Sequence, residues 1–392
     1  MIAVTYIYNM VQHQLLKIHF PGKLVFGNGA LNNLADEVLP GAQEALIITI
    51  TPLLSQIEPF VAKLKAAGVN VHINTDINQE PSFADFRALM ETFAGTNPDV
   101  VLGIGGGSVL DIAKLVAAQL KNDQPLEAIV GNGLLKGRAT KLICVPATSG
   151  TGSEVSPNAI LVDDEHQKKG IISPYLVPDV VYVDPLLTIS VPPAITAATG
   201  LDALTHCLEA YTNKFAQPFI DVYAFEGMRL IAKHLVDAVK DGSNEEARSE
   251  VAMGSMLGGF CLGPVNTAAV HALSYPLGST FHLAHGLSNA LLLPYVMEFN
   301  VPAAPQRYAD VAIALGCERQ DNHLSTALAG IAKIRELIAA CGIPATLKEV
   351  GISKDVIPQL ADEAMLIQRL LVNNPRKVTR EDAIAIYTAA YE

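Results

Sequence analysis

The pattern of hydrophobic and polar positions divides the chain into two unlike halves. In the first half, short apolar runs at 45–49, 69–73, 99–104, 141–146 and 180–183 have the length and composition of strands buried in a parallel sheet. Helical spacing separates several of them, in a stretch reaching Leu64, a polar one from about Phe83 to Thr96, and one from Val109 to about Gln119. Residues 15–26 read as two further strands around a Pro21-Gly22 turn, followed by Gly27-Asn-Gly29 and a helix from about Ala30. Strands alternating with helices in this way predict a doubly wound α/β domain.

After Asp184-Pro185 and the Pro192-Pro193 pair the period changes. Apolar residues then recur at helical spacing, which predicts helices over 194–212, 217–240, 245–262, 265–280, 285–299, 306–316, 324–341, 355–371 and 379–390. No further strand pattern of comparable length follows. The expected architecture is an α/β N-terminal dinucleotide-binding domain over residues 1–190 and an all-α metal-binding and substrate domain over residues 191–392.

Composition narrows the class of protein. Half of the 392 residues are hydrophobic and 17% are charged, enough to bury a large core. The net charge of -12 repels phosphate backbones, so a nucleic-acid partner is not expected. The five cysteines, Cys144, Cys207, Cys261, Cys317 and Cys341, are scattered and form no CxxC pair. That argues against a disulfide framework and for a reducing cytoplasm. Residues 1–9 carry no basic region or cleavage site, and no run of 18 apolar residues occurs, so neither secretion nor membrane insertion is expected.

Two loops suit phosphate. Gly105-Gly-Gly-Ser108 lies between a predicted strand and a predicted helix, where backbone N–H groups and the positive helix end face outward. It is not a GxGxxG motif, and three glycines also make a plain tight turn. A second loop, Ala147-Thr-Ser-Gly-Thr-Gly-Ser-Glu-Val155, follows the next strand, and two such loops side by side imply a dinucleotide. In the helical half, Asp202 and His206 share one helix face, while His271 and His285 stand among small and apolar residues. One carboxylate and three imidazoles suit iron(II) or zinc. Taken singly, Asp202 also reads as a helix N-terminal residue, His206 as a solvated partner, and the other two as packed core histidines. A cleft between the halves would bring dinucleotide and metal together.

Several motifs, in order and at fitting intervals, carry a family resemblance. They are Phe20-Pro-Gly-Lys-Leu-Val-Phe-Gly, Gly105-Gly-Gly-Ser-Val-Leu-Asp111-Ile-Ala-Lys114, Pro146-Ala-Thr-Ser-Gly-Thr-Gly-Ser-Glu154, Ala198-Thr-Gly-Leu-Asp-Ala-Leu-Thr-His206, His285-Gly-Leu-Ser-Asn-Ala and Asn374-Pro-Arg376. Essentially end to end, the chain resembles the iron-containing (group III) alcohol dehydrogenases, relatives of glycerol dehydrogenase and dehydroquinate synthase. The resemblance implies a dehydroquinate synthase-like fold, a homodimer, and Asp202, His206, His271 and His285 as ligands of Fe2+ or Zn2+. It further implies that Gly106, Gly107, Ser108, Asp111, Thr148, Ser149, Thr151, Asn158 and Lys169 surround NAD or NADP.

The chain departs from the family pattern at several positions. Tyr275 stands where the best-known members have a histidine, a candidate proton relay, and tyrosine titrates near 10 rather than near 6.5. His282 either shuttles protons or packs behind the ligands. Ala147 replaces a usual threonine, and Glu80 a usual asparagine. Ile50 occupies the place where NAD-preferring members carry an aspartate that bonds the ribose and repels a 2′-phosphate. The exchange is expected to admit NADP, with Thr49 and Thr51 offering hydroxyls.

The implied reaction is metal-dependent interconversion of a small alcohol and its aldehyde or ketone by hydride transfer. Few basic residues neighbour the ligands in sequence, which favours a neutral or weakly polar substrate over a diacid. The Ser274-Tyr275-Pro276 variant keeps open a hydroxyacid–oxoacid transhydrogenase or maleylacetate reductase. A lyase of the dehydroquinate synthase type would need clustered Lys and Arg, and a non-catalytic binding protein has no use for both phosphate loops and four ligands.

Overall fold

The computed structural model describes residues 15–77, 80–165 and 167–392, so the leader reading of residues 1–9 falls outside it. Nine strands are described: β1 Lys23–Phe26, β2 Glu44–Ile48, β3 Asn70–Asn74, β4 Val100–Gly105, β5 Gly131–Asn132, β6 Lys141–Pro146, β7 Asn158–Val162, β8 Lys168–Ile172 and β9 Val180–Val183. Six form one sheet in the order β1-β9-β6-β4-β2-β3, parallel throughout. Side chains of a strand alternate between faces. Leu46 and Ile48 of β2 therefore enter one core with Val101 and Leu142, while Ala45 and Ile47 enter another with Leu102 and Ile143. Both faces are covered, which is why these strands read as continuous apolar runs rather than as alternation. Each fully buried Leu or Ile contributes about 1.5–3 kcal/mol.

Strand β2 lies between β3 and β4, so the chain leaves the ends of β2 and β4 in opposite directions. This is the switch point at which open α/β sheets bind ligands. Ile50 follows one of the two strands and Gly106-Gly107 the other.

Two readings of the first half need correction. Of residues 15–26 only β1 is a strand, and it pairs in parallel with β9 instead of closing a hairpin. Lys23 N–H donates to the Asp179 carbonyl, and a Cβ on Gly22 would lie 2.9 Å from that oxygen, so the chain enters the sheet edge directly. The second sheet, in the order β5-β8-β7, was not expected, although the apolar run 159–162 of β7 carries a strand signal. Strand β5 has two residues and β8 begins Lys-Lys-Gly, too short and too polar to register. Its Ala159, Leu161 and Ile171 cover the apolar face of the helix Gly107–Gln119, through Val109 and Ile112.

Among the described residues, no strand follows Val183. The helices Pro193–Thr212, Pro218–Lys240, Glu245–Cys261, His285–Asn300, Pro305–Ala314, His323–Ala340 and Arg380–Tyr391 lie close to their expected positions. The expected 265–280 helix runs instead over Ala269–Phe281, because Asn266 takes a left-handed φ of 74° before it. The expected 355–371 helix divides into Ile357–Ala364 and Gln368–Leu371. One apolar cluster, including Leu204, Met228, Ile231 and Leu292, holds the helical half together. The two halves touch where Gly152, at a φ of 60°, meets the helix Glu245–Cys261; a Cβ there would lie 2.3 Å from Gly259 Cα. No helix of the described residues is long and apolar enough to cross a membrane.

Candidate active site

The helix Pro193–Thr212 is buried along most of its length and presents Asp202, His206 and Glu209 at successive turns of one face. His271 arrives from the helix Ala269–Phe281, and His285 from the first turn of His285–Asn300. Asp202 Oδ1 lies 3.5 Å from His271 Nε2, 3.7 Å from His285 Nε2 and 3.8 Å from His206 Nε2. These separations are too long for hydrogen bonds but near the edge of a tetrahedron whose bonds are about 2.1 Å long, roughly 3.4 Å. Ligand atoms of Asp202, His271 and His285 all fall within 4.8 Å of one another, and His206 stacks on His271 with ring centroids 4.8 Å apart.

Glu209 sets the orientation. Its buried carboxylate accepts from the N–H groups of Ala268 (3.0 Å) and Val270 (2.6 Å), which have no helical partner, and from His271 Nδ1 (2.6 Å). With Nδ1 protonated, the Nε2 lone pair is turned toward Asp202, the carboxylate–histidine arrangement of metal sites. One turn beyond His285, the Asn289 amide nitrogen lies 2.6 Å from Asp202 Oδ1, 3.1 Å from His271 Nε2 and 3.3 Å from His285 Nε2. One amide nitrogen among three acceptors is a donor set short of positive charge, and the Asn289 carbonyl oxygen is buried without a partner. The residues therefore fit a divalent cation.

The electrostatics agree. Burial drives His285 down to about 3, so it stands neutral and able to ligate. Burial also opposes charge on His271, but the Glu209 and Asp202 carboxylates outweigh it and lift His271 to about 10, so without an ion they hold on its Nε2 a proton that a bound cation would displace. Burial penalises the Asp202 carboxylate in turn, and the three histidines overcome that and hold it well below the usual carboxylate range.

These side chains close one end of a cavity of about 910 Å³ that reaches across to the sheet. The helix Gly107–Gln119 opens onto the other end, with no acidic residue in its first turn and with Gly107, Ser108 and Asp111 in the cavity wall. Its free N–H groups and dipole make an anion site of the kind that holds a pyrophosphate. A Cβ on Gly107 would lie 2.5 Å from Thr151 Cγ2, so glycine lets the two loops pack in contact. Beneath them, Lys114 Nζ is fully buried and donates to Ser153 Oγ (2.8 Å) and to the carbonyls of Ser156 (3.0 Å) and Asn158 (2.8 Å).

Residues able to ligate a metal and a free helix N-terminus line one cavity, and two family models match the chain. One, iron-containing alcohol dehydrogenase, matches residues 21–185, and the C-terminal model of the Fe-containing alcohol dehydrogenase family matches residues 196–391. The chain belongs to the iron-containing alcohol dehydrogenase family. It is 40% identical to long-chain-alcohol dehydrogenase 1 of Geobacillus thermodenitrificans, over 96% of each chain. It superimposes on the crystal structure of a 1,3-propanediol oxidoreductase with a TM-score of 0.92 at 33% identity, covering 96% of this chain and 100% of the other. The NAD+ complex of sulfoacetaldehyde reductase from Bifidobacterium kashiwanohense matches with a TM-score of 0.86 at 28% identity, over 96% and 99%. The protein is thus a metal-dependent oxidoreductase acting on alcohols and aldehydes; these relatives do not favour the transhydrogenase alternative.

Within this alcohol dehydrogenase, the cavity wall brings together Gly107, Ser108, Asp111, Thr151 and Asn158 with the four metal-ligand candidates, Tyr275 and His282. The Asp111 carboxylate is engaged, accepting from Ser153 Oγ (2.5 Å) and Ile160 N–H (2.9 Å). His282 is exposed and caps its helix at a φ of 55°; it and Asn266, the two non-glycine left-handed residues described, both line the cavity. Gly106 backs onto Thr148, and Ser149 faces a separate small void beside Arg248. Lys169 turns away, 3.1 Å from Asp163, whereas Lys168 enters the cavity wall and pairs with Glu80 at 2.5 Å. Alternation along β8 decides between them. Ile50 sits outside the wall, packed between the two sheet cores. Thr49 is fully buried and donates its hydroxyl to the Ile104 carbonyl at 2.8 Å, so of the two threonines only Thr51 is free to meet a cofactor.

Sequence reasoning missed four residues of the site: Glu209, Asn289, Lys168 and Arg369. Two had a local signal, since Glu209 continues the Asp202/His206 face by one turn and Asn289 follows His285 by one turn. The other two had none.

Proposed function

We propose that the chain is an NAD(P)(H)-linked, iron- or zinc-dependent dehydrogenase of small alcohols and their aldehydes, with Asp202, His206, His271 and His285 holding the metal. The observation that carries this reading is the convergence of three imidazole nitrogens on Asp202 Oδ1, in the cavity that the Gly107 helix end also faces. When bound, the ion supplies Lewis acidity and the nicotinamide supplies hydride transfer. Everything else is done by side chains and backbone. The Gly107–Gln119 N-terminus and Thr151 bind the pyrophosphate; Glu209 holds the proton on His271 Nδ1; Tyr275, whose ring centroid lies 5.8 Å from that of His285, and exposed His282 pass the substrate proton toward solvent. Residues 1–190 form the dinucleotide domain and 191–392 the metal domain, in a cytoplasmic homodimer without nucleic-acid or membrane partners. The exposed Leu24 on the outer edge strand β1, and the half-exposed Phe20 shortly before it, support the dimer, which sedimentation would test. Reduction of an aldehyde panel, lost on chelation and restored by one equivalent of Fe2+ or Zn2+, is the expected result. Turnover indifferent to chelation and metal would refute the reading.

Cofactor choice rests on Ile50, which neither accepts hydrogen bonds from an adenosine ribose nor repels a 2′-phosphate. NADPH is expected to serve at least as well as NADH. Ile50→Asp should move the ratio toward NADH by about 1.5–3 kcal/mol, the worth of a charged hydrogen bond. The measurement is kcat/KM for both cofactors in both proteins; a wild-type preference for NADH above about 100-fold, near 2.7 kcal/mol, contradicts the argument.

A further inference from the structure

Resting on the dehydrogenase reading, we infer that the substrate carries an anionic group, a carboxylate or sulfonate, bound by Arg369. Tyr275 lies against the ligand His285, so its ring is within reach of a short substrate held at the ligand cluster. Two cations stand there. Lys168 Nζ is 5.2 Å from the Tyr275 ring centroid and Arg369 Cζ is 5.6 Å from it, and both residues line the cavity.

Their charges are not equally met. Lys168 is paired with Glu80 at 2.5 Å. Arg369 has no carboxylate within ion-pair distance among the described residues, and one N–H is used, Nη2 donating to the Tyr275 hydroxyl at 3.2 Å. A guanidinium has five N–H donors in a planar fork that matches a carboxylate or sulfonate. With Tyr275 steadying one arm, the remaining donors are free for an anion. The net charge of -12 makes an unmatched cation at the substrate end of the cavity a local exception. This reverses the expectation of a neutral substrate, which counted only basic residues close to the ligands in sequence.

Metal-loaded enzyme and NAD(P)H are tested with aldehydes matched in length: 4-oxobutanoate against butanal, and 5-oxopentanoate against pentanal. At least one anionic member is expected to exceed its neutral partner about 10-fold in kcat/KM, mainly through KM, with the advantage shrinking as salt rises. Arg369→Ala should lower the anionic-to-neutral ratio about 10- to 100-fold, and Arg369→Lys should retain part of it. Arg369 is exposed, so both variants are expected to fold. Calorimetry with 4-hydroxybutanoate reads binding without turnover and should show the same loss. The inference is overturned if both neutral aldehydes equal or exceed their anionic partners, or if Arg369→Ala leaves the ratio unchanged, as a merely stacked arginine would. Failure to reduce any aldehyde overturns the dehydrogenase reading itself, and the inference with it.

Discussion

His271→Ala is expected to cost the enzyme its stoichiometric metal and on the order of 10³–10⁴ in kcat, the several kcal/mol that a Lewis acid supplies. The substitution removes the nitrogen 3.5 Å from Asp202 Oδ1 and also strips Glu209 of its hydrogen-bonded imidazole, leaving that carboxylate with the Ala268 and Val270 N–H groups alone. A buried charge robbed of its partner destabilises by about 3–5 kcal/mol, so a lower melting temperature should accompany the lost turnover. Glu209→Gln is the graded form of the same experiment. It leaves every ligand in place but weakens the orienting bond, and should reduce metal affinity about 10- to 100-fold. Elemental analysis and chelator competition measure both. Stoichiometric metal with full activity in His271→Ala would mean that the ligand assignment is wrong.

Gly286→Ala should be nearly as damaging, although it alters no polar group. A Cβ at Gly286 would lie 2.1 Å from the Ala198 carbonyl oxygen and 2.7 Å from its carbon, and main chain in the middle of a helix has no rotamer by which to give way. The helices Pro193–Thr212 and His285–Asn300 must then separate, and they carry Asp202 and His285. Overpacking of this kind costs about 1–3 kcal/mol of stability. The separation also widens the 3.7 Å approach of His285 to Asp202, so metal affinity should fall with the melting temperature. Thermal melts with and without added metal check this. An unchanged melt together with unchanged metal content would show that the two helices do not approach so closely.

Much of this molecule is readable without a structure, because strand and helix periods are local. The runs at 45–49 and 99–104 are apolar on both faces since both faces are covered, and β2 and β4 form there. The Asp202/His206 pair is legible because a helix brings every fourth residue to one face, and by the same rule Glu209 could have been read beside it. The strands β5 and β8 were not legible, the one having two residues and the other opening Lys-Lys-Gly, whereas β7 carries the apolar run 159–162.

The change from strand to helical period, the glycine-rich turn after β4 and the identity of the residues able to ligate a metal were determined by sequence alone, since each depends on neighbours a few positions away. Tertiary structure decided how they meet. His271 and His285 reach Asp202 from separate helices, Lys168 rather than Lys169 faces the cavity, Thr49 spends its hydroxyl on the sheet, and Arg369 finds Tyr275 across a separation of 94 residues. Encounters of this kind are set by which helix faces pack together and which way a strand is turned. No local period records either.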